Sequence, residues 1–385
     1  MKRKYRVVVI GMGIVGSAAL WRLSRIEPNV LGIEAGAIIN LSASSHGASR
    51  IFRRAYWEGE SYLPLLSLSD RLWSQLDDTT TSHLLVRSGG LFIGAADSPL
   101  VSGSIATAKR GKIKHQCLSA ASIAERFPAF CISDDMVGVF EEGAYTIAAD
   151  KSKLQMLNLA LRNGAEIKFG TVVSRIFRTG NGLNIQIESG GIVYADQVIL
   201  AAGAKMDAEL ITDLVGLLKP KSVPVYWFSP KVGMDLNFKR AFPAFLQHLP
   251  NGWLLYGTPE IDSDEPGIKI GFHNQQQADF DIETHRQPVS QSNIDQISVL
   301  IETFFPDLNP IPYASKKCIY TMSPDDSFML GESRDVPGVF YASACSGHGF
   351  KFATGIGDVL ARAALGSSVS DEFSMFNKDR FIIKG

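Results

Sequence analysis

Residues 5–34 run in the order apolar strand, glycine-rich turn, small-residue helix, apolar strand, acid, and few folds accept that order. Tyr5 to Ile10 is continuous and β-branched, as a strand buried on both faces must be. Gly11-Met-Gly-Ile-Val-Gly16 follows it directly. From Ile14 to Ser24 the residues Val15, Ala18, Ala19 and Leu23 recur at helical spacing. Val30 to Ile33 then reads as a second strand, with Glu34 at its carboxyl end. This is a βαβ unit. In such a unit Gly11 permits the tight turn, Gly13 lets a pyrophosphate approach the backbone, and Gly16 lets helix and strand pack closely. The helix start at Ile14, Val15 and Gly16 offers N–H groups and a positive dipole end to phosphate. Glu34, 23 positions beyond Gly11, would accept hydrogen bonds from ribose hydroxyls and repel a 2′-phosphate. The turn by itself does not separate NAD from FAD.

The rest of the chain narrows the class. At 385 residues and 45% hydrophobic content it can bury a large core, and two domains are expected. A formal net charge of -1 gives no reason to expect a nucleic-acid partner. Cys117, Cys131, Cys318 and Cys345 form no CxxC and read as free thiols of a reduced cytoplasmic protein. The histidines show no HxH or HExxH spacing, so no metal is expected, and there is no GxSxG elbow. Lys2, Arg3 and Lys4 before Val7–Leu20 resemble a signal peptide, but the glycine spacing in that stretch belongs to a nucleotide turn. No run reaches membrane-spanning length, and Phe381 to Gly385 carries no evident address.

Further helices are expected over Ser67–Leu76, Ser122–Phe127, Lys151–Asn163 and Lys351–Ala364. Strands are expected around Gly89-Gly90 from Leu84 to Ile93. A meander is expected over Val172–Phe177, Leu183–Glu188 and Ile192–Tyr194, feeding a separate strand Gln197–Leu200. That strand runs into Ala201-Ala-Gly203, a junction like the first. Val223–Phe228, Trp253–Tyr256 and Lys269–Phe272 suggest an antiparallel sheet, and Val339–Ala342 a last strand. The fold class is therefore α/β (α+β overall): a discontinuous Rossmann-like domain with an inserted mixed or antiparallel sheet. The nucleotide domain is expected over 1–83, 147–220 and 318–385, and the substrate domain over 84–146 and 221–317.

His46-Gly-Ala-Ser-Arg50-Ile-Phe-Arg53-Arg-Ala-Tyr56, with Glu58-Gly59 after it, resembles a signature of the monomeric sarcosine oxidase and N-methyltryptophan oxidase family. Ser346-Gly-His-Gly-Phe-Lys351-Phe resembles that family's C-terminal signature. Tyr256-Gly257, Lys269-Ile-Gly-Phe-His273 and Lys317-Cys318-Ile-Tyr320-Thr321 fall between them in the same order. The resemblance implies an FAD enzyme, and it assigns roles by position. Cys318 matches a cysteine that carries the flavin covalently. Arg53 and Lys351 match a clamp for the substrate carboxylate. Lys269 matches a lysine that promotes reaction with oxygen, and His273 a histidine that orients substrate. Arg50 matches an arginine against the flavin ring, and Tyr256 a pocket tyrosine. Ser44, Ser45 and His46 match a loop over the cofactor, Gly347, His348 and Gly349 its backbone donors, and Val173 a backbone contact to adenine.

Read alone, several of these residues have plainer explanations. Cys318 would be a buried structural thiol, Arg53 a surface partner of Glu58 or Glu60, and Lys269 and His273 solvated strand residues. Ser45, Ala48, Arg54, Trp57 and Thr258 depart from the family pattern, and Trp57 with Thr258 implies a reshaped pocket that suits sarcosine poorly. The implied activity is oxidation of a secondary amino acid by FAD, with O2 as acceptor, by a monomer that binds no membrane. The alternatives are a flavin amine dehydrogenase with another acceptor, an NAD-dependent dehydrogenase, and a non-catalytic flavin-binding protein. The clamp requires Arg53 and Lys351 to point into one region.

Overall fold

A computed structural model of the chain describes residues 4–40, 43–180, 182–206, 210–232, 242–261, 266–369 and 371–381. Lys2, Arg3 and the last four residues lie outside the described residues. Lys4–Ile10 pairs in parallel with Val30–Ile33 on one side and Ile192–Leu200 on the other. Its residues alternate between two cores: Val7 and Val9 enter one, Val8 and Ile10 the other. Burial on both faces is why this segment is an unbroken apolar run. Glu166–Lys168 and Val339–Ser343 extend the parallel order outward. Val173–Thr179 and Gly182–Ile187 add antiparallel strands, and Met329–Glu332 pairs with Val339–Ser343, completing an eight-stranded sheet.

The helices Ile14–Ser24 and Ala353–Ala364 pack on this sheet and against each other. They approach so closely that a Cβ on Gly357 would lie 2.6 Å from the Ala19 backbone nitrogen. The chain therefore returns at its end to cover its first helix.

Two expected runs, Ile192–Tyr194 and Gln197–Leu200, prove to be one strand, Ile192–Leu200. It stays extended because one edge serves two partners in turn: Leu183–Gln186 along its first half and Val339–Tyr341 along its second. Asp196, between the two expected runs, pairs with Lys4 and Arg6. The expected helix at Ser122 starts at Ala120, because the Ser119 side chain caps it through the Ser122 N–H at 3.2 Å. Helices at Pro99–Arg110 and Gln291–Phe304 are additional, capped by Ser98 and Ser290.

A nine-stranded, mostly antiparallel sheet holds Lys219–Phe228, Ala244–His248, Leu254–Thr258, Ile268–Phe272, Ala278–Asp279 and Ala314–Met322 together with Gly90–Ala95, His115–Ser119 and Met136–Glu141. One parallel pair, Ala244–His248 with Gly90–Ala95, makes it mixed. One face packs on the helix Gln291–Phe304 through an aromatic core that includes Phe130, Phe242, Phe245 and Phe305. Ile268, Ile270 and Phe272 enter that core, so Lys269 and Gly271 face the other way. Likewise Leu255 enters it, while Leu254 and Tyr256 join the opposite cluster. A three-stranded sheet, Ser49–Phe52, Tyr145–Ala148 and Leu85–Val86, completes the sheets. Among the described residues no helix is long and apolar enough to cross a membrane.

Candidate active site

The glycine turn is built for close approach. Gly11 adopts φ +90°, and a Cβ there would lie 2.5 Å from the Ala201 carbonyl oxygen. A Cβ on Gly16 would lie 1.8 Å from the Gly11 carbonyl oxygen. Gly13 differs: a Cβ would meet only Ser45 Oγ, at 3.5 Å, so this glycine borders open ground. Gly203, at φ +60°, also has nothing within 4 Å of that position. The first N–H groups of the helix that begins at Ile14 have no partner within the helix, and they include those of Val15 and Gly16.

Glu34 is buried, and its carboxylate accepts from Met12 N at 2.8 Å, Gly36 N at 2.9 Å and Asn40 Nδ2 at 3.2 Å. Thr171 N and Gly170 N donate to the backbone oxygens of Glu34 and Gly36. This sets the start of Val173–Thr179 beside the acid. An open cradle at Gly13, a helix start and a rigidly held acid together fit a dinucleotide.

The cations form two pairs. Arg50 and Lys269 both donate to the Ser49 carbonyl oxygen, Arg50 at 2.8 Å. Arg50 also donates to the carbonyls of Ser44 and His46 at 3.0 and 2.8 Å, and lies 5.3 Å from the Phe350 ring centre. His46 Nδ1 is 2.8 Å from Asp150, which also accepts from Gly47 N. The loop 44–47 is thus bound to the strand that carries Arg50.

The second pair is Arg53 and Lys351. The Arg53 guanidinium carbon lies 4.5 Å from the centre of the Tyr56 ring, and Lys351 Nζ lies 5.0 Å from it. The structure therefore brings these two side chains to one place, though they sit about three hundred residues apart. Arg53 is indeed paired with Glu58, through two contacts of 2.6 and 2.8 Å, but the pair is buried rather than on the surface. Glu60 is instead near Arg110. Burial alone would raise the Glu58 carboxyl; Arg53, then His348 and Lys351, hold it below its usual value.

Lys351 donates to the His348 carbonyl at 2.6 Å, and burial together with Arg53 brings its pKa down to about 7. Burial takes His273 down to about 4, with Glu58 opposing the shift and Arg53 and Lys351 adding to it. His348 is likewise brought down to about 3 by burial. Both imidazoles are therefore neutral near pH 7.

Cys318 lies on Ala314–Met322, opposite Val223, and is half-buried and unbridged. Two residues on, Tyr320 shares its face, and the Tyr320 and Tyr256 side chains are hydrogen-bonded. Burial raises Tyr256 to about 12; Cys318 adds to the shift and Arg50 opposes it, which puts all four in one neighbourhood. Gly347 completes the wall: a Cβ there would lie 2.9 Å from the Tyr320 ring and 3.4 Å from His273. Gly349 is packed as tightly, 1.8 Å from the Ala344 carbonyl by the same measure. Thr258 is fully buried, and its hydroxyl lies 2.8 Å from Ser49 Oγ, tying the large sheet to the Arg50 strand. Trp57 packs on the helix Pro99–Arg110 at Gly103.

Two participants had no assigned role in the sequence reading. Tyr56 stands inside the quoted signature but its ring contacts emerge only in three dimensions. Glu141, fully buried, accepts from the N–H groups of Arg54 and Ala55 at 2.9–3.0 Å and so fixes the backbone between Arg53 and Tyr56. Nothing local in VGVFEEG marks it.

A parallel sheet opening through a glycine turn onto a helix start, with a second sheet closing over it, defines a dinucleotide-binding oxidoreductase architecture. Residues 6–363 match the FAD dependent oxidoreductase family, and the chain belongs to that family. It is 30% identical over 381 residues to monomeric sarcosine oxidase of Streptomyces avermitilis, covering 99% of this chain and 98% of that protein. It is also 30% identical to N-methyl-L-tryptophan oxidase of Salmonella newport, covering 98% of this chain and 99% of that protein. Among solved structures, NikD, an unusual amino acid oxidase essential for nikkomycin biosynthesis, shares the fold at TM-score 0.82 and 23% identity, covering 98% of each chain. L-proline dehydrogenase from P. horikoshii does so at TM-score 0.81 and 18% identity, covering 99% of each.

Proposed function

We propose that this FAD-dependent enzyme oxidises the C–N bond of a small secondary amino acid, N-methylated or cyclic, to an imine. The amino acid gives up two electrons and two protons as C–N becomes C=N; oxygen takes up both and leaves as hydrogen peroxide. FAD, when bound, supplies the two-electron acceptor between them. The observation that carries this reading is the meeting of Arg53 and Lys351 on Tyr56 beside a neutral His273. A guanidinium and an ammonium from two directions suit a carboxylate. Neutral His273 can accept a hydrogen bond from the substrate amine, which must itself be uncharged to give up electrons. Arg50 and Lys269 are both held on the Ser49 carbonyl, and fixed positive charge there would stabilise the negative charge that develops on flavin reduction and on reduction of oxygen.

FAD would lie along Gly11, Gly13, Ile14, Val15 and Gly16, with its ribose at Glu34, adenine near Val173, and its ring under Ser44, Ser45, His46 and the backbone of Gly347, His348 and Gly349. Gly203 borders the same opening. Tyr256 and Thr258 belong to the pocket wall. Cys318 would carry the flavin covalently; acid-precipitated holoenzyme then stays yellow, and Cys318→Ser releases the colour. The division into an FAD domain (1–83, 147–220, 318–385) and a substrate domain (84–146, 221–317), a monomeric state and a cytoplasmic location are parts of the same proposal.

A peroxide assay over sarcosine, N-methyltryptophan, proline, pipecolate and glycated amino acids tests it. Peroxide in step with substrate loss is expected for at least one. Flavin bleaching without peroxide under air would point to a dehydrogenase, and no bleaching by any amine would sink the enzyme reading.

A further inference from the structure

Arg53 and Lys351 belong to different elements, the first beyond the strand Ser49–Phe52 and the second in the turn before Ala353–Ala364. Two like charges buried together repel strongly, because low polarizability leaves their fields unscreened. Glu58 meets only part of that cost, since its two contacts are spent on Arg53. Both cations also lie within reach of the Tyr56 ring, at 4.5 and 5.0 Å. That ring is fully buried.

Its orientation is held by three neighbouring rings, Tyr62, Phe352 and His348. Tyr62 and Phe352 pack edge-on at 5.1 and 5.3 Å. The preceding backbone is pinned by Glu141, and the Tyr56 carbonyl accepts from Thr107 at 2.9 Å. Its hydroxyl lies 2.5 Å from His348 Nδ1. His348 Nε2 faces the Asp326 carbonyl at 2.8 Å, which can only accept, so the imidazole proton sits on Nε2. Nδ1 is then an acceptor and Tyr56 the donor. A phenol that donates its proton has a more electron-rich ring, which strengthens attraction for a cation on its face.

We propose that Tyr56 is the positioning residue of the carboxylate clamp: its π system holds Arg53 and Lys351 together at one ring, and His348 holds the ring. This rests on the reading of Arg53 and Lys351 as that clamp. Tyr56 does not touch the substrate; it sets where the two charges stand before substrate arrives, which lowers the reorganisation that binding must otherwise supply.

The test replaces the ring's electrons while keeping its shape. Holoenzyme is prepared with Tyr56→Phe and with phenylalanine carrying one, two or three ring fluorines at the same position. The probe is whichever of sarcosine, N-methyltryptophan, proline and pipecolate has the lowest KM, beside its decarboxylated amine (dimethylamine, N-methyltryptamine, pyrrolidine or piperidine). KM for the amino acid is expected to rise about twofold with each fluorine, with kcat falling by less and the amine's inhibition constant unchanged. The dissociation constant of the amino acid, read from its thermal shift of the protein under anaerobic conditions, should follow the same order. A flat series, or an equal rise for amino acid and amine, overturns the inference and leaves the function standing. Turnover of no probe by the unmodified enzyme overturns both.

Discussion

Both Glu58 carboxylate oxygens already accept from Arg53 Nη2, and Nη1 donates to the Ala55 carbonyl, so a substrate carboxylate must share that cation or displace the glutamate. Removing one partner of a buried pair leaves the other uncompensated, at about 3–5 kcal/mol. Glu58→Gln should lose stability of that order in thermal unfolding, and added carboxylate substrate should raise its melting temperature more than it raises that of the unmodified protein. Lys351 carries a separate signature. Its pKa in the fold, about 7, lies below the ordinary lysine value, so the protonated form that binds an anion is lost as pH rises through that region. Affinity for the amino-acid carboxylate should therefore weaken from pH 6 to 8.5. Stability moves the opposite way: the unfolded chain holds this proton up to higher pH, so the cost of burying the charged form is full below about pH 7 and is relieved as pH rises above it. Lys351→Met should bind the carboxylate more weakly by about 2–5 kcal/mol and lose the pH dependence between 6 and 8.5, measured as the substrate dissociation constant at each pH.

At the scale of elements, Gly13 and Gly16 of the turn separate binding from packing. A methyl on Gly16 collides with the Gly11 carbonyl and must push the first helix off the sheet. Gly16→Ala is expected to cost about 1–3 kcal/mol in unfolding experiments even without flavin. Gly13 has room for that methyl, and its φ of -63° suits any residue. Gly13→Ala should leave apo stability within about 0.5 kcal/mol while lowering flavin content, read from the ratio of visible to ultraviolet absorbance. The strand Ile268–Phe272 shows a second division of labour. Its odd positions outside the core, Lys269 and Gly271, are free to serve the site only because Ile268, Ile270 and Phe272 anchor the other face. A charge at Ile270 would unseat Lys269 without touching it.

For the whole molecule, the site is an assembly of segments that meet only after folding. The Arg50 strand is fastened to the large sheet by Lys269 and Thr258, and the strand that carries Cys318 is fastened to the C-terminal turn where Ser346 N donates to Thr321 O. The site should therefore lose order in one cooperative step. Flavin fluorescence and far-ultraviolet circular dichroism are expected to report the same midpoint in urea, with two separated midpoints as the contrary result.

Local pattern decided what local forces control. The strand Val30–Ile33 and the helix Ile14–Ser24 fall where the apolar spacing places them, because burial on both faces and the close packing of glycine leave little choice. The glycine turn, its acid and the cationic motifs were all legible as residue types in order. Long-range neighbours were not. The single strand Ile192–Leu200, the burial of the Arg53–Glu58 pair, the buried brace Glu141 and the ring of Tyr56 beside two cations all depend on partners far along the chain, whereas the helices begun by Ser98 and Ser290 carry their caps in the local sequence. A side chain's charge is written in its sequence. What that charge faces, and how little water reaches it, is set only when distant segments pack.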